Sequence, residues 1–233
     1  MLVGAWQGGD VDRRGSSALV ALFAVATVVS CSSSKPSVTP ATALAAAKTR
    51  LDATSGVHFT LAGAPVPSSG TSLEKAEGDA APPASFTGTA TIHSGSVTAT
   101  VKVISVGGVV YVKQPFGSGF TTVDPAKLGL VDPGALLSPE RGISTFLTAD
   151  KAAKADGSVR VGGEVLERYR ATLDTVGVLS TDVKDVPAEF DLVKGTHELR
   201  RVVLTGHFFD ASTATTLTLT LTKYGQHVDI RAP

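Results

Sequence analysis

Residue types that support catalysis or metal binding occur in this chain, but their spacing does not assemble a recognisable reactive site. No two of the five histidines have the i,i+4 or H-x-H spacing with which imidazoles share a metal ion. Gly117-Ser118-Gly119 lacks the strand–turn–helix context of a nucleophilic serine and is predicted as a hairpin tip. Gly162-Gly163 opens no helix, which argues against a dinucleotide-binding loop. The sequence therefore predicts no enzyme, no metal site and no cofactor.

Cys31, the only cysteine of the chain, is the one reactive side chain with an informative context. Two basic residues, Arg13 and Arg14, precede an apolar or small run that ends shortly before the cysteine. This order is typical of a secretory signal, predicted here for residues 1–30. The run of about a dozen residues is too short for a helix to span a bilayer core of roughly 30 Å. The opening residues fit such a signal poorly, and we expect translation to begin near Val11.

The four letters Val28-Val29-Ser30-Cys31 fit the bacterial lipobox, in which apolar and small residues precede a modified cysteine. The match implies that the Cys31 thiol is thioether-linked to diacylglycerol and becomes the new N-terminus. The alternative is a buried free thiol, but a position directly after a signal segment does not suit a core. Residues 31–40 are mostly polar and contain two prolines, which predicts a flexible tether before a domain at residues 41–233.

The composition of the chain limits which partners it can bind and which interactions can stabilise its fold. The chain has 21 basic and 21 acidic residues, and removal of residues 1–30 takes away two of each sign, so the mature chain stays neutral. Neutrality argues against a nucleic-acid partner and gives no attraction to anionic lipid headgroups. About 200 mature residues suffice for one domain with a substantial core. With Cys31 modified no disulfide can form, so apolar packing must stabilise the domain.

The sequence predicts one helix and a series of strands, and these elements would position the side chains of a binding site. Leu44, Ala47 and Leu51 recur at helical spacing and predict a helix over 42–54, capped by Thr39 or Thr42. About five strands are predicted on each side of a central segment, with glycine turns such as Gly107-Gly108 between them. The predicted strands are 57–61, 85–92, 97–103, 109–112, 152–161, 164–173, 187–192, 199–208 and 214–224, with a short piece at 228–230.

Two strand patterns bear on the faces of the sheet. Leucine and threonine alternate strictly from Leu217 to Thr222, which indicates an antiparallel sheet with one covered face. A second strand carries four charged residues that are interpreted as its solvated face: Glu164, Glu167, Arg168 and Arg170.

The central segment, residues 125–149, is more apolar than solvent-facing helices need to be. It predicts short helices over 125–130 and 133–149, interrupted by Pro139 and Gly142. The interruptions at Asp132-Pro133 and Ser138-Pro139, with Gly134 and Gly142, also predict a mobile wall that hinges at these points. The alternative is that these helices plug the sheet as a rigid core. The resulting fold class is α+β, with a strongly curved antiparallel sheet wrapped over the central helices.

Several stretches occur in an order and spacing that are hard to reproduce by chance. They are VVYV at 109–112, DP at 132–133 leading into LLSPERGI at 136–143, VPA at 186–188, GTHEL at 195–199 and LTLTKYG at 219–225. Together with the lipobox they cover nearly all of the mature chain. In this order they resemble the mycobacterial lipid-carrier lipoproteins of the LppX, LprA, LprF and LprG family.

The resemblance implies an antiparallel half-barrel with helices on its concave side, enclosing an apolar cavity for acyl chains of lipids or glycolipids. A pocket-lining position of the family falls on Ala90, while residues 62–78 depart most from the family. The resemblance also implies a monomer anchored by Cys31 on the outer face of the plasma membrane, moving lipid towards the outer envelope. The central residues expected to line the cavity are Leu128, Leu136, Leu137, Ile143, Phe146 and Leu147.

Two other functions compete with a lipid carrier. The first is an adaptor lipoprotein with a small or collapsed cavity that partners a membrane exporter. The second is an enzyme acting on envelope lipids, which is disfavoured because the sequence shows no catalytic constellation. Lipid extracted from the purified protein would separate the carrier from the adaptor.

Overall fold

The computed structural model describes residues 38–67, 70–128, 130–148, 153–177 and 183–233. The predicted signal, Cys31 and most of the predicted tether lie outside these ranges. Val38–Pro233 form one compact unit. Within the described ranges, no helix is both long and apolar enough to cross a membrane.

The described chain opens with helix α1 (Pro40–Asp52), which begins two residues earlier than the sequence pattern predicts. Thr39 is the cap, because its side chain accepts a hydrogen bond from the backbone N–H of Thr42 at 3.2 Å. Proline suits the first helical turn because the N–H that it lacks would have no partner there. The buried face of α1 consists of Ala43, Leu44, Ala47 and Leu51, in agreement with the predicted helical spacing.

Eleven strands form one antiparallel sheet, and an antiparallel sheet is what the sequence predicts. Its strands are β1 (Val57–Ala64), β2 (Thr71–Ala81), β3 (Ser85–Ser94), β4 (Val97–Val106), β5 (Val109–Lys113), β6 (Thr121–Val123), β7 (Lys154–Val161), β8 (Glu164–Leu173), β9 (Val186–Val193), β10 (Leu199–Gly206) and β11 (Thr215–Thr222). The order in the sheet is β6-β5-β4-β3-β2-β1-β11-β10-β9-β8-β7. Consecutive strands are neighbours except β6 and β7, which lie at the two opposite edges. β1 pairs with β11, so the first and last strands of the fold meet at the centre of the sheet.

Two strands were not predicted, and one prediction was wrong. The sequence of β2, TSLEKAEGDAA, is rich in helix-favouring residues, and a bulge between Leu73 and Lys75 interrupts its alternation. β6 has only three residues, too few for a pattern. Residues 228–230 lie outside any strand. The predicted Gly107-Gly108 turn joins β4 to β5, and both glycines have positive φ angles.

The two edges of the sheet differ from its interior strands. β6 is short and is followed directly by a proline-initiated turn of helix. β7 is almost wholly exposed, carries charged residues such as Lys154, Asp156 and Arg160, and bulges between Ala155 and Ser158. Gly157, inside the bulge, has a φ of 76°.

One face of the sheet carries the hydrophobic core. In β11 every second residue is buried, so Leu217, Leu219 and Leu221 face the core and the threonines between them are half-buried, as predicted. The same cluster of buried residues includes the apolar face of α1 and the central segment. Lys48 of α1 donates hydrogen bonds to the side chain of Ser144 and to the carbonyl of Pro139, which tie the helix to that segment.

The central segment forms three short 3₁₀ helices: η1 (Pro125–Leu128), η2 (Pro133–Leu137) and η3 (Ile143–Leu147). Pro139 and Gly142 separate η2 from η3, as the sequence predicts. η1 buries no residue, whereas η2 and η3 bury most of theirs. η2 contacts β2, β3 and β4, and η3 contacts α1.

The opposite face of the sheet corrects the interpretation of the charged residues in β8. Arg170 is 57% exposed, as expected, but Arg168 is only 15% exposed. The Arg168 guanidinium donates to both carboxylate oxygens of Asp191 in β9, at 2.7 and 3.0 Å. Arg201 in β10 donates to the same carboxylate at 2.7 Å, and Asp191 is fully buried. The hydrogen bond from Arg168 to Asp191 raises the pKa of Arg168. Because Asp191 is fully buried and both arginines are mostly covered, this face contains a buried ionic network.

Candidate functional site

The larger of two apolar cavities on the core face has a volume of about 120 Å³. Its walls come from all six strands β1–β6, from η1 and η2, and from the connection between these helices. Every lining side chain is Phe, Leu, Ile, Val, Ala or Pro, so none contributes a hydrogen-bonding or charged group. Such a site can hold hydrocarbon but supplies no acid, base, nucleophile or metal ligand.

A smaller cavity of about 30 Å³ adjoins the first on the side of β10 and β11. It is lined by Ile143 and Phe146 of η3 and by side chains of β10 and β11. Three residues, Phe59, Leu61 and Leu136, line both cavities. These three side chains therefore lie between the two spaces.

The central residues singled out from the sequence occupy four kinds of position. Leu128 lines the larger cavity, as does Ala90 of β3, and Leu136 lines both cavities. Ile143 and Phe146 line the smaller one. Leu137 and Leu147 are 5% and 3% exposed and pack in the core, but line neither cavity. Cys31 lies outside the described residues.

Most of the wall of the larger cavity comes from strand residues that the sequence analysis does not predict as cavity lining. The core-facing valines of β4 and β5 are examples: Val101, Val103, Val110 and Val112. Their alternation with outward-facing residues was visible in the sequence, and it marks one face of the sheet. It does not distinguish a cavity wall from closed core, because that depends on how far η1 and η2 stand from the sheet.

Two glycines shape the floor of the larger cavity. Gly78 of β2 and Gly88 of β3 are register partners, and the ring of Phe86 lies against both positions. A Cβ atom at Gly88 would lie 2.7 Å from the Phe86 ring and 2.1 Å from the carbonyl oxygen of Glu77. The absent side chains let Phe86 lie close to the sheet, with its centroid 5.2 Å from that of Phe59. A side chain at either glycine would clash both with a carbonyl oxygen of the paired strand and with the Phe86 ring.

η2 is anchored at its beginning by a partly buried polar contact. Asp132 accepts hydrogen bonds from the side chain of Ser105 at 2.5 Å and from the backbone N–H of Gly134 at 2.8 Å. Ser105 is fully buried in β4, so these bonds hold the start of η2 against the sheet. A Cβ atom at Gly134 would lie 2.6 Å from the Ser105 hydroxyl oxygen, which explains the glycine as a requirement of close packing.

The end of η2 is confined in the same way. A Cβ atom at Gly142 would approach the carbonyl oxygens of Leu136 and Ser138 to 2.4 and 2.5 Å. The φ angle of Gly142 is −87°, which any residue can adopt, so space rather than backbone freedom requires the glycine. Gly134 and Gly142 were interpreted as hinge points, and the structure instead places both in tight packing.

η1 forms the exposed part of the cavity wall. Leu128 lines the cavity and is 45% exposed, so it lies where the cavity meets solvent. η1 is held by backbone bonds such as Lys127 N–H to Asp124 O and by the side chain of Asp124, which accepts from Ala126 N–H. The solvent-exposed side of this wall therefore lies next to edge strand β6, whose Val123 also lines the cavity.

The two glycine-containing motifs considered as a nucleophilic turn and a dinucleotide-binding loop lie in connections between strands. Gly117-Ser118-Gly119 lies in the connection between β5 and β6, and Gly162-Gly163 is the turn between β7 and β8. In the part of the chain that the structure describes, no three His, Cys, Asp or Glu side chains cluster as metal ligands would.

Comparison with known proteins confirms the family resemblance. LprF from Mycobacterium bovis has the same fold, with a TM-score of 0.68 and 17% sequence identity over 83% of this chain and 96% of that one. LppX from Mycobacterium tuberculosis gives a TM-score of 0.60 and 17% identity over 82% of this chain and 98% of that one. Among curated proteins, no sequence matches. The model of the LppX_LprAFG lipoprotein family matches residues 39–230, from the cap of α1 to beyond β11, and the chain belongs to that family.

Proposed function

We propose that this lipoprotein binds acylated lipids or glycolipids with their acyl chains in the larger cavity. It carries them from the plasma membrane towards the outer envelope. In this proposal the sheet is a half-barrel, and the helices on its concave side close the cavity. The lipidated Cys31 anchors the protein to the outer face of the plasma membrane, and residues 31–39 are the tether.

The observation that carries the proposal is the composition of the cavity wall, which is wholly apolar and opens to solvent beside Leu128. Each methylene that moves from water into such a wall contributes about 0.8 kcal/mol to binding. An acyl chain therefore binds with useful affinity without a polar contact. A headgroup would remain at the entrance, where η1 is exposed.

The modest volume of the cavity supports a second candidate, an adaptor that partners an exporter and carries no lipid. Ligand pockets typically have volumes of about 300–1,000 Å³, and the larger cavity has about 120 Å³. A carrier must therefore enlarge the cavity on loading, most simply by displacement of the exposed η1. An adaptor has no need to do so.

Mass spectrometry of the organic extract from protein purified from its native host tests the two functions. We expect a carrier to yield acylated lipid at a fixed ratio to protein, after subtraction of the lipid attached to Cys31. Repeatedly empty preparations would establish the adaptor instead.

Amide hydrogen exchange tests whether η1 is the movable wall. We expect the amides of η1 to exchange rapidly in delipidated protein and slowly once lipid is bound, because η1 buries no residue in the structure. The amides of η2 and η3 should be protected in both states, with β11 as the internal reference for a stable core. Equal protection of η1 in both states would contradict a movable wall and favour the adaptor.

Replacement of Cys31 by alanine should release the protein from the membrane without unfolding it. The cysteine precedes the compact unit that begins at Val38, so its side chain is not needed for the core. Membrane fractionation and thermal unfolding measure the two effects, and Ser33→Ala is the control. A Cys31→Ala protein that still sediments with membranes after a salt wash would show that another segment anchors the chain.

A further inference from the structure

We infer that Leu136, together with Phe59 and Leu61, forms a partition that limits the length of the acyl chain that the larger cavity admits. This inference rests on the proposed function. These three side chains line both cavities, so each contacts the larger space on one side and the smaller space on the other. The smaller cavity is apolar as well, and removal of the partition would extend the hydrocarbon site towards β10 and β11.

Two of the three partition residues are held in place by the sheet. Phe59 and Leu61 lie in β1, which is paired with β2 on one side and β11 on the other. Phe59 also packs against the ring of Phe86. The backbone positions of both residues are therefore fixed by the two central strand ladders.

Leu136 is the residue that decides whether the partition opens. Its helix, η2, is anchored at the start by Asp132 and Ser105 and confined at the end by the packing at Gly142. The backbone therefore stays in place, and the size and rotamer of the Leu136 side chain set the separation between the cavities. The adjacent Leu137 is buried to the same degree, but it lines neither cavity. This difference makes Leu137 a matched control.

Chain-length dependence of binding tests the partition. The probes are saturated monoacylglycerols from octanoyl to stearoyl, and their binding is measured as displacement of cis-parinaric acid. The protein is the full-length polypeptide with Cys31→Ala, so that no lipid attached to the cysteine competes with the probes. Affinity should rise about fourfold for each added methylene until the chain reaches the partition, and then level off. Leu136→Ala should move the levelling point to longer chains, and Leu136→Phe should move it to shorter ones. Leu136→Val, which removes less of the side chain, tests the same shift at a smaller cost in stability.

A control variant distinguishes the effect of opening the partition from the effect of a generally loosened core. Leu137→Ala removes the same atoms from the same helix, and we expect it to keep the levelling point of the parent chain. The same levelling point in the parent, Leu136→Ala and Leu136→Val would overturn the partition and leave the carrier proposal intact. Failure of every probe to bind the parent chain would instead overturn the carrier proposal.

Discussion

Replacement of Ala90 by tryptophan is expected to abolish lipid binding while the domain remains folded. Ala90 lines the larger cavity, and its register partner Ala76 lines it as well, so two small side chains face each other across β2 and β3. An indole at this position would occupy the space proposed for an acyl chain. We expect bound lipid to fall on the order of tenfold or more, equivalent to at least about 1.4 kcal/mol. Overpacking of a closed core typically costs about 1–3 kcal/mol, and filling a cavity should cost less.

The matched control for Ala90→Trp is Thr89→Trp, which places the same ring on the opposite face of the same strand. Thr89 is exposed, so its replacement should change neither lipid content nor stability. Mass spectrometry of extracts gives the lipid content, and thermal unfolding gives the stability. A melting temperature lowered by many degrees with unchanged lipid would identify position 90 as ordinary core.

The largest loss of stability is expected from Asp191→Ala. The substitution removes the carboxylate that pairs with both Arg168 and Arg201. Both guanidinium groups then lie against a covered surface, although Arg168 keeps its ion pair with Glu189 at 2.9 Å. Removal of one partner from a buried ionic network typically costs about 3–5 kcal/mol. The two arginines are 15% and 22% exposed and gain some hydration, so we expect about 3 kcal/mol. Urea denaturation measures this change in the free energy of unfolding.

Asp156→Ala is the control for Asp191→Ala. Asp156 also pairs with an arginine, Arg170, but the two side chains are 38% and 57% exposed. An exposed ion pair of this kind contributes less than about 1 kcal/mol. Equal, small losses for the two substitutions would show that the network around Asp191 is no stronger than a surface ion pair.

The antiparallel sheet could be predicted from the sequence because its clearest signal is local. In β11 leucine and threonine alternate over consecutive residues, and one strand suffices to show that one face is covered. In β2 the local signal is misleading, since Leu73-Glu74-Lys75-Ala76-Glu77 favours a helix. Pairing with β1 and β3 on both sides decides its conformation, and those partners are defined only in the fold.

The features that the sequence did not predict depend on residues distant in the chain. Asp191 stands between Phe190 and Leu192 in a buried strand, and its partners come from β8 and β10. The partition combines Leu136 with two residues of β1. Gly134 and Gly142 suggested flexibility because glycine serves both freedom and close packing, and only the neighbouring atoms distinguish the two uses.

The two edges of the eleven-stranded sheet bear on how densely copies could be held on a membrane under the proposed function. Copies anchored as proposed would meet at high local concentration, and an unpaired strand edge is a template for pairing with another chain. A copy that approached β6 would find three residues and then a turn of helix. A copy that approached β7 would meet charged side chains and a bulge that twists the backbone out of register. An open sheet of this size is thereby protected against edge-to-edge aggregation at both ends.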